Sequence, residues 1–448
     1  MMRRRRFLAL LALFFLASGT LFAQTAQAPA ISAGNTAWMM VCTALLLLMT
    51  IPGLAFFYGG LVRRKNVLNV MMQCFVIAAL VSVQWVVIGY SLSFGSSSSP
   101  LAPFIGGFRW FFLNGIGIND PSPYFATASA GRVPHYVFIL FQGMFAVITP
   151  ALIVGSVAER IKFGGFLLFV LLWSTLVYDP ITHWVWSAQG WLAHFGIADF
   201  AGGTVVEVNS GIAGLVTAIL IGRRTSYFAD AAAPPHNVPF VVMGAALLWV
   251  GWFGFNAGSA LAADGVAANA LLTTHLAASA GVLAWVVMDI IINGKPTIVG
   301  AASGAVAGLV AITPASGFVD VAGALIIGFI AAVLSFIAVS SIKQRFRYDD
   351  ALDVFGLHGV GGFWGLIGTG IFAAPFIRQS FSGLLYGNIH LLLVELLGAV
   401  ATIVYCGVLT FVLFKAVDRF VGIKVARHEE DIGLDLTQHN EKAYTVIE

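Results

Sequence analysis

Two residues stand out for the chemistry they can do. Glu207 lies in Thr204-Val205-Val206-Glu207-Val208-Asn209, and His358 lies in Phe355-Gly356-Leu357-His358-Gly359-Val360. Both are ionisable, and their neighbours are mostly apolar or glycine. An ionisable group inside a membrane span costs several kcal/mol, so it points to function by default. A carboxyl and an imidazole in contact form a proton relay. A neutral Glu207 would donate its O–H to the ring, and an ionised one would accept from an imidazolium. Burial favours the neutral form of each and ion pairing the charged form, so the two titrate as one unit. The net-neutral, shared-proton state is favoured, because unpaired charge in a narrow, poorly solvated passage is costly. The alternative is that each is a buried polar group tied to a carbonyl or to another helix. Contact does not follow from depth. At about 1.5 Å per residue, Glu207 lies roughly 24 Å along its helix from Arg223 and His358 roughly 16 Å from Arg347.

Asp199 comes eight residues before Glu207. It can cap a helix start or steady a cation site through its charge; capping is the common use of Asp there. Aromatic residues gather in three short runs: Phe141 and Phe145, one helical turn apart; Trp186 in His183-Trp184-Val185-Trp186; and Phe255, four residues before Ser259. They form either an interfacial aromatic belt or an outward-facing cation–π site. The remaining histidines lie near span edges or alone, which suits packing better than chemistry. Asp179, Asp289 and Glu395 have no role beyond hydrogen bonds between helices or at their ends.

These residues need elements to hold them, and composition says which solvent those elements meet. Of 448 residues, 59% are hydrophobic and 10% charged, against about 25% charged in a soluble domain. Lipid must be the main solvent. Glycine is high, at 49 residues, and glycine lets membrane helices approach closely. Cys42, Cys74 and Cys406 lie alone in apolar runs, so neither a disulfide framework nor a metal site is indicated. The formal charge of +3 is sorted by membrane side, with no nucleic-acid patch.

Arg3 to Arg6 followed by the apolar run Phe7 to Ser18 resemble a secretory signal peptide, taken as residues 1–28 with an approximate cleavage site. The run is too short to span about 30 Å of hydrocarbon. Eleven further apolar segments follow, at 38–60, 67–94, 134–157, 163–181, 202–223, 237–256, 267–293, 298–315, 318–342, 354–374 and 389–417. The expected fold is therefore an all-α membrane protein with 11 transmembrane helices, a membrane domain over 29–417 and a tail over 418–448. Of 23 Lys and Arg, four belong to the leader, 16 lie in alternate loops and the tail, and three (Arg109, Arg132, Arg378) lie opposite. The positive-inside rule makes the rich side cytoplasmic, with the mature N-terminus periplasmic and the tail cytoplasmic. Eleven spans allow two inverted five-helix repeats plus one helix, a common transporter plan. Glu207 and His358 would then lie early in the last helix of each half.

Several stretches together are similar to one family. The chain resembles the ammonium transporter family (Amt/Mep/Rh) at Ile51 to Lys65, Phe141 to Phe145, Ala158 to Ile161, Asp199 to Asn209, Gly251 to Ser259 and Asp353 to Gly359. The resemblance implies a bacterial inner-membrane homotrimer with one pore per subunit. It implies an outer ammonium site at Trp186, Phe145 and Ser259, supported by Asp199, and gating rings at Phe145 and Phe255. His358 matches the second histidine of the family's pore pair, and Glu207 stands where the first is usual. Some fungal members are similar in this. The change puts proton handling and selectivity against K⁺ or methylammonium in question. Gly433-Leu434-Asp435 resembles the tail through which members contact a PII-type signalling protein.

The physics suits this substrate. A bare ion in a dry apolar pore costs tens of kcal/mol in the Born limit. Stripping a proton from an ammonium with a lysine-like pKa costs roughly 4–5 kcal/mol at pH 7. Neutral ammonia with a separate proton route fits a pore of aromatic gates and two polar side chains. A K⁺ filter of the TVGYG type is absent. An enzyme is not expected, since no GxSxG or HExxH occurs, and no cofactor is called for. Two other readings remain: an ammonium sensor signalling through a partner, because the tail is only about 30 residues, and a transporter of another small cation.

Overall fold

The computed structural model describes residues 30–124, 131–227 and 234–444. The leader, residues 1–28, lies outside the described residues.

Each long apolar run becomes a helix, because in hydrocarbon only a helix or a closed barrel pairs every backbone N–H and C=O internally. Among the described residues ten helices are long and apolar enough to cross a membrane. In chain order the helices are α1 (Ala33–Leu61), α2 (Arg64–Phe94), α3 (His135–Val157), α4 (Phe163–Phe195, interrupted at residues 187–190), α5 (Gly203–Ile221), α6 (Val238–Gly258) and α7 (Gly265–Asn293). After the shorter apolar α8 (Ile298–Ile312) come α9 (Val321–Phe346), α10 (Phe355–Phe372) and α11 (Ile389–Phe420). No strand forms among the described residues; three isolated bridges tie loop segments together.

Helix ends differ from the apolar runs where polar chemistry decides them. α8 stops at Ile312, not 315, because Pro314 has no N–H to donate; buried turns carry the chain on through residue 318. α9 starts only after Asp320, whose carboxylate accepts the Gly323 N–H at 2.9 Å. It runs to Phe346 rather than 342, since Lys343 is held by Asp353 at 2.5 Å. α11 extends to Phe420, three residues beyond the apolar run. It presents Leu397, Val400, Val404, Val408 and Phe411 outward at three- and four-residue spacing, the stripe of a helix with one face toward lipid. α3 is buried along almost its whole length.

α5 and α10 cross in the core, and glycine permits it. A Cβ on Gly211 would meet the Gly359 nitrogen at 2.2 Å, and one on Gly362 would meet Glu207 Cβ at 2.6 Å. Both helices open with a π-helical turn, Gly203–Val208 in α5 and Phe355–Gly359 in α10, and both continue as 13 residues of α-helix. Such turns insert an extra residue and re-aim side chains, often at functional sites. α1, α2, α4 and α9 carry π-turns as well, Met49–Leu54, Trp85–Gly89, Ser174–Tyr178 and Ala338–Ile342.

The Lys/Arg-rich end is closed by an ion-pair chain. Glu159 pairs with Arg63 and Arg224 at 3.0 Å each, and Arg224 pairs with Asp349 at 2.8 Å. Burial pushes Glu159 and Asp349 up. The arginines outweigh it and hold both carboxyls below their ordinary value: Arg224 and Arg63 at Glu159, Arg160 and Arg224 at Asp349. The tail folds back on this end as α12 (Arg427–Ile432) and α13 (Leu434–His439). Leu434 N–H donates to Asn66 Oδ1 and Asn69 N–H to Asp435 Oδ1, each at 2.8 Å. Lys65 Nζ donates to the Glu430 carbonyl at 3.0 Å. The tail is thus docked on the body as far as Tyr444, where the described residues end.

Candidate functional site

Glu207 and His358 each lie within the π-turn that opens their helix. The glycine crossing brings the two turns together, and Glu207 Oε2 lies 2.7 Å from His358 Nδ1. Both side chains are buried, at 1% and 3% exposure. The depth counted along the chain does not apply on the His358 side, because residues 347–353, between Arg347 and α10, are not helical. Two arrangements fit the contact: a ring N–H donating to a carboxylate, or a carboxyl O–H donating to the ring nitrogen. Among the described residues neither Glu207 Oε1 nor His358 Nε2 has a protein hydrogen-bond partner. Each group therefore keeps one polar atom for a substrate or a proton carrier.

Toward the opposite end from the arginine chain lies a cavity of about 380 Å³ whose lining includes Trp186, Asp199, Gln142, Ser259 and Phe200. Trp186 Nε1–H donates to the Asp199 carbonyl at 3.0 Å, which fixes the indole. The Phe145 ring packs edge-on against Trp186, centroids 5.4 Å apart, and tilted against Phe255 at 4.5 Å. Both phenylalanines are fully buried. Ser259 Oγ–H donates back to the Phe255 carbonyl at 2.9 Å, leaving its lone pairs available beside the cavity. Phe141 is also fully buried, 5.1 Å from the Phe145 ring; like Phe145 and Phe255 it lies behind the residues that line the cavity.

Asp199 does the work of a cap. Oδ1 accepts the Gly202 and Gly203 N–H groups at 2.8 and 2.6 Å. Oδ2 accepts those of Thr204 and Val205 at 2.8 and 3.3 Å. A helix start leaves four such donors without partners, and one carboxylate takes them all. Its carbonyl holds Trp186, so one residue ties the indole to the first turn of α5.

Glu395, expected to serve only hydrogen bonds between helices or at their ends, does so: on α11 it is fully buried, and its Oε1 accepts the Ala198 N–H at 2.7 Å. It anchors the residue just before Asp199. A lone Glu in an apolar run was the available signal. Asp179 has a similar holding role, accepting from Gln84 Nε2 at 2.8 Å and from Ser93.

The arrangement therefore offers an aromatic-walled cavity, two packed phenyl rings and a separate buried acid–imidazole pair. Comparison with known proteins gives this a setting. A family model described as the Ammonium Transporter Family matches residues 37–444. An ammonium transporter of Bacillus subtilis (strain 168) is 49% identical over 92% of this chain and 98% of its own length. The crystal structure of Candida albicans Mep2 superposes with a TM-score of 0.83 at 36% identity, covering 92% of this chain and 90% of that one. A solved sensor Amt protein superposes with a TM-score of 0.81 at 27% identity, over 91% and 98% of the two chains. On its sequence and on its architecture alike, the chain belongs to the ammonium transporter family.

Proposed function

We propose that this chain carries ammonium across the bacterial inner membrane, taking it up as NH₄⁺ at Trp186, Phe145 and Ser259 and passing it inward as ammonia and a proton. The observation that carries this reading is the 2.7 Å contact between buried Glu207 and His358 in a member of an ammonium transporter family. The π faces of Trp186 and Phe145 suit a desolvated cation, and Ser259 adds an acceptor. Asp199 holds the indole and the start of α5 and lends negative charge nearby. Phe145 and Phe255 act as the gate: packed at 4.5 Å, they exclude a hydrated ion until they part. A bare cation in hydrocarbon is costly, so the proton leaves the nitrogen and travels through the Glu207–His358 relay. The pair is net neutral with a shared proton, since unpaired charge there would be destabilising. A carboxyl in place of the usual first histidine tolerates cations better, which relaxes selectivity.

The rest of the reading concerns the assembly. Ten spans and the short α8 make eleven crossings, read as two inverted five-helix repeats plus α11, and the matching π-turns that open α5 and α10, each followed by 13 residues of α-helix, support that pairing. Residues 1–28 act as a cleaved signal peptide, with the mature N-terminus periplasmic and the tail from 418 cytoplasmic. The protein works as a homotrimer with one pore in each subunit, and its docked tail is the surface a PII-type protein would recognise.

The test is a current recording on liposomes holding the purified full chain. An ammonium pulse should elicit an inward positive current, methylammonium a smaller one and K⁺ little. Equal currents from K⁺ and ammonium would refute the ammonium reading in favour of a general cation path. No current, with ammonium-dependent binding of a partner, would favour the sensor reading.

A further inference from the structure

Of the three basic residues that lie opposite the Lys/Arg-rich end, Arg378 lines the cavity that also holds Trp186, Asp199 and Ser259. Arg109 and Arg132 do not reach that lining. A fixed positive charge in the wall of a cavity suited to cations works against its occupant.

The guanidinium is held by rings rather than by acids. It lies 5.3 Å from the Phe318 ring centre, 5.7 Å from that of Phe381 and 5.9 Å from that of Phe200. The rings are themselves locked: Phe318 packs on Phe381 at 4.5 Å and edge-on to Phe200 at 5.5 Å. Phe200 sits over Gly317, where a Cβ would drive into its ring. A turn fixes the backbone, the Arg378 carbonyl accepting the Phe381 N–H at 2.9 Å. Among the described residues the guanidinium makes no hydrogen bond or ion pair. Burial pushes its pKa below the ordinary value against the attraction of Asp264, yet an arginine stays charged at neutral pH. Asp264 acts through space only, its Oδ1 accepting the Val266 and Ala267 N–H groups at 3.0 Å as the cap of α7. Cation–π contact holds a charge without neutralising it.

The size of the cavity sets the consequence. A volume of about 380 Å³ places a bound cation about 9 Å from the guanidinium, where a unit charge disfavours a monovalent ion by roughly two- to twentyfold for dielectric constants of about 80 to 20. The energy is proportional to the ion's charge, so a dication feels the square of that factor, roughly four- to four-hundredfold. Asp199 faces the same cavity, but four N–H groups at the start of α5 meet its carboxylate, and the positive end of that helix opposes its charge. We propose that Arg378 sorts cations by valence at this cavity, admitting monovalent ammonium at a modest penalty and turning dications away. The proposal rests on the capture of ammonium at Trp186, Phe145 and Ser259.

The test is inhibition of the ammonium current by putrescine, a linear diamine with both nitrogens protonated at neutral pH, in proteoliposomes holding the full chain. Arg378→Met keeps an apolar stem among the three rings and removes the charge. In it the half-saturating ammonium concentration should fall by at least about twofold, and the inhibition constant of putrescine by about the square of the ammonium factor. Arg378→Lys keeps the charge and should hold both constants near the wild type, so it answers the question even where Arg378→Met fails to fold. Equal factors for ammonium and putrescine in Arg378→Met, no change in either, or a fall of both constants in Arg378→Lys would overturn the proposal and leave Arg378 a packing residue. Trp186→Leu, measured beside them, separates the two readings. Wild-type half-saturation in that variant would remove the outer site and the valence filter with it. A rise there without the Arg378 effects would remove the filter alone.

Discussion

Replacing Glu207 separates its packing from its proton chemistry. In Glu207→Leu the His358 Nδ1 atom loses its 2.7 Å partner in a site where the histidine is 3% exposed. Leaving a buried polar group unsatisfied costs about 1–3 kcal/mol, so this variant should melt at a lower temperature yet still fold. Glu207→Gln keeps an amide within reach of the ring and should melt close to the wild type. Neither side chain can exchange a proton. A positioned acid–base group contributes about 100- to 10,000-fold, so both variants should lose at least about 100-fold of the ammonium current in proteoliposomes. Glu207→His keeps a titratable group beside His358 and should stay active. Its pH profile should shift, because the ordinary values of imidazole and carboxyl are about 6.5 and 4.3. The decisive comparison is current against pH for all four proteins at matched incorporation. Wild-type rate and pH dependence in Glu207→Leu would return the carboxyl to a structural role and remove the relay.

Other outcomes follow from the same coordinates. Trp186→Leu removes a cation–π contact of about 2 kcal/mol, so the half-saturating ammonium concentration should rise about 30-fold; unchanged uptake at limiting ammonium would move the outer site elsewhere. Gly362→Val would drive a side chain into Glu207, where even a Cβ comes within 2.6 Å, and should abolish current, whereas Gly265→Ala, with open space around it, should not; equal currents would show that the crossing does not set the relay. Arginine pairing holds Glu159 and Asp349 below their ordinary value against burial. Their stabilisation is thus complete above the ordinary carboxylate value of about 4 and is lost as pH falls through the lowered one. The melting temperature should hold from neutral pH down to about 5 and drop below about 4, and Arg224→Gln should move that drop to higher pH; a profile indifferent to Arg224 would deny the chain its role. Truncation after Arg427 should abolish co-purification of a PII-type protein under nitrogen-replete conditions, and the absence of any complex with the full chain would remove that partner.

The spans were legible because each is a long apolar run, and lipid leaves such a run few other folds. Their ends were less so, because Pro314, Asp320 and the Lys343–Asp353 pair act through single polar groups that a hydropathy window averages away. Glu207 and His358 could be picked out one at a time as charges in apolar surroundings. Their contact could not, since it depends on how closely α5 and α10 cross, and a depth count treats the non-helical residues 347–353 as helix. Asp199 was open between a cap and a cation site; four donors around one carboxylate explain its placement. Glu395 was legible as a hydrogen-bonding carboxyl but its partner was not, because the Ala198 N–H belongs to a distant segment and to the main chain.

The glycine crossing has a consequence for how this site can change. Where α5 meets α10, main chain touches main chain, so the gap between positions 207 and 358 is a property of the scaffold and not of the groups that occupy it. The crossing acts as a socket of fixed bore. An acid or an imidazole can be seated at position 207 and the helices need not shift, which lets the proton affinity of the passage be retuned independently of its width. Chemistry and calibre are thereby separate variables in this molecule, and one can drift while the other is held.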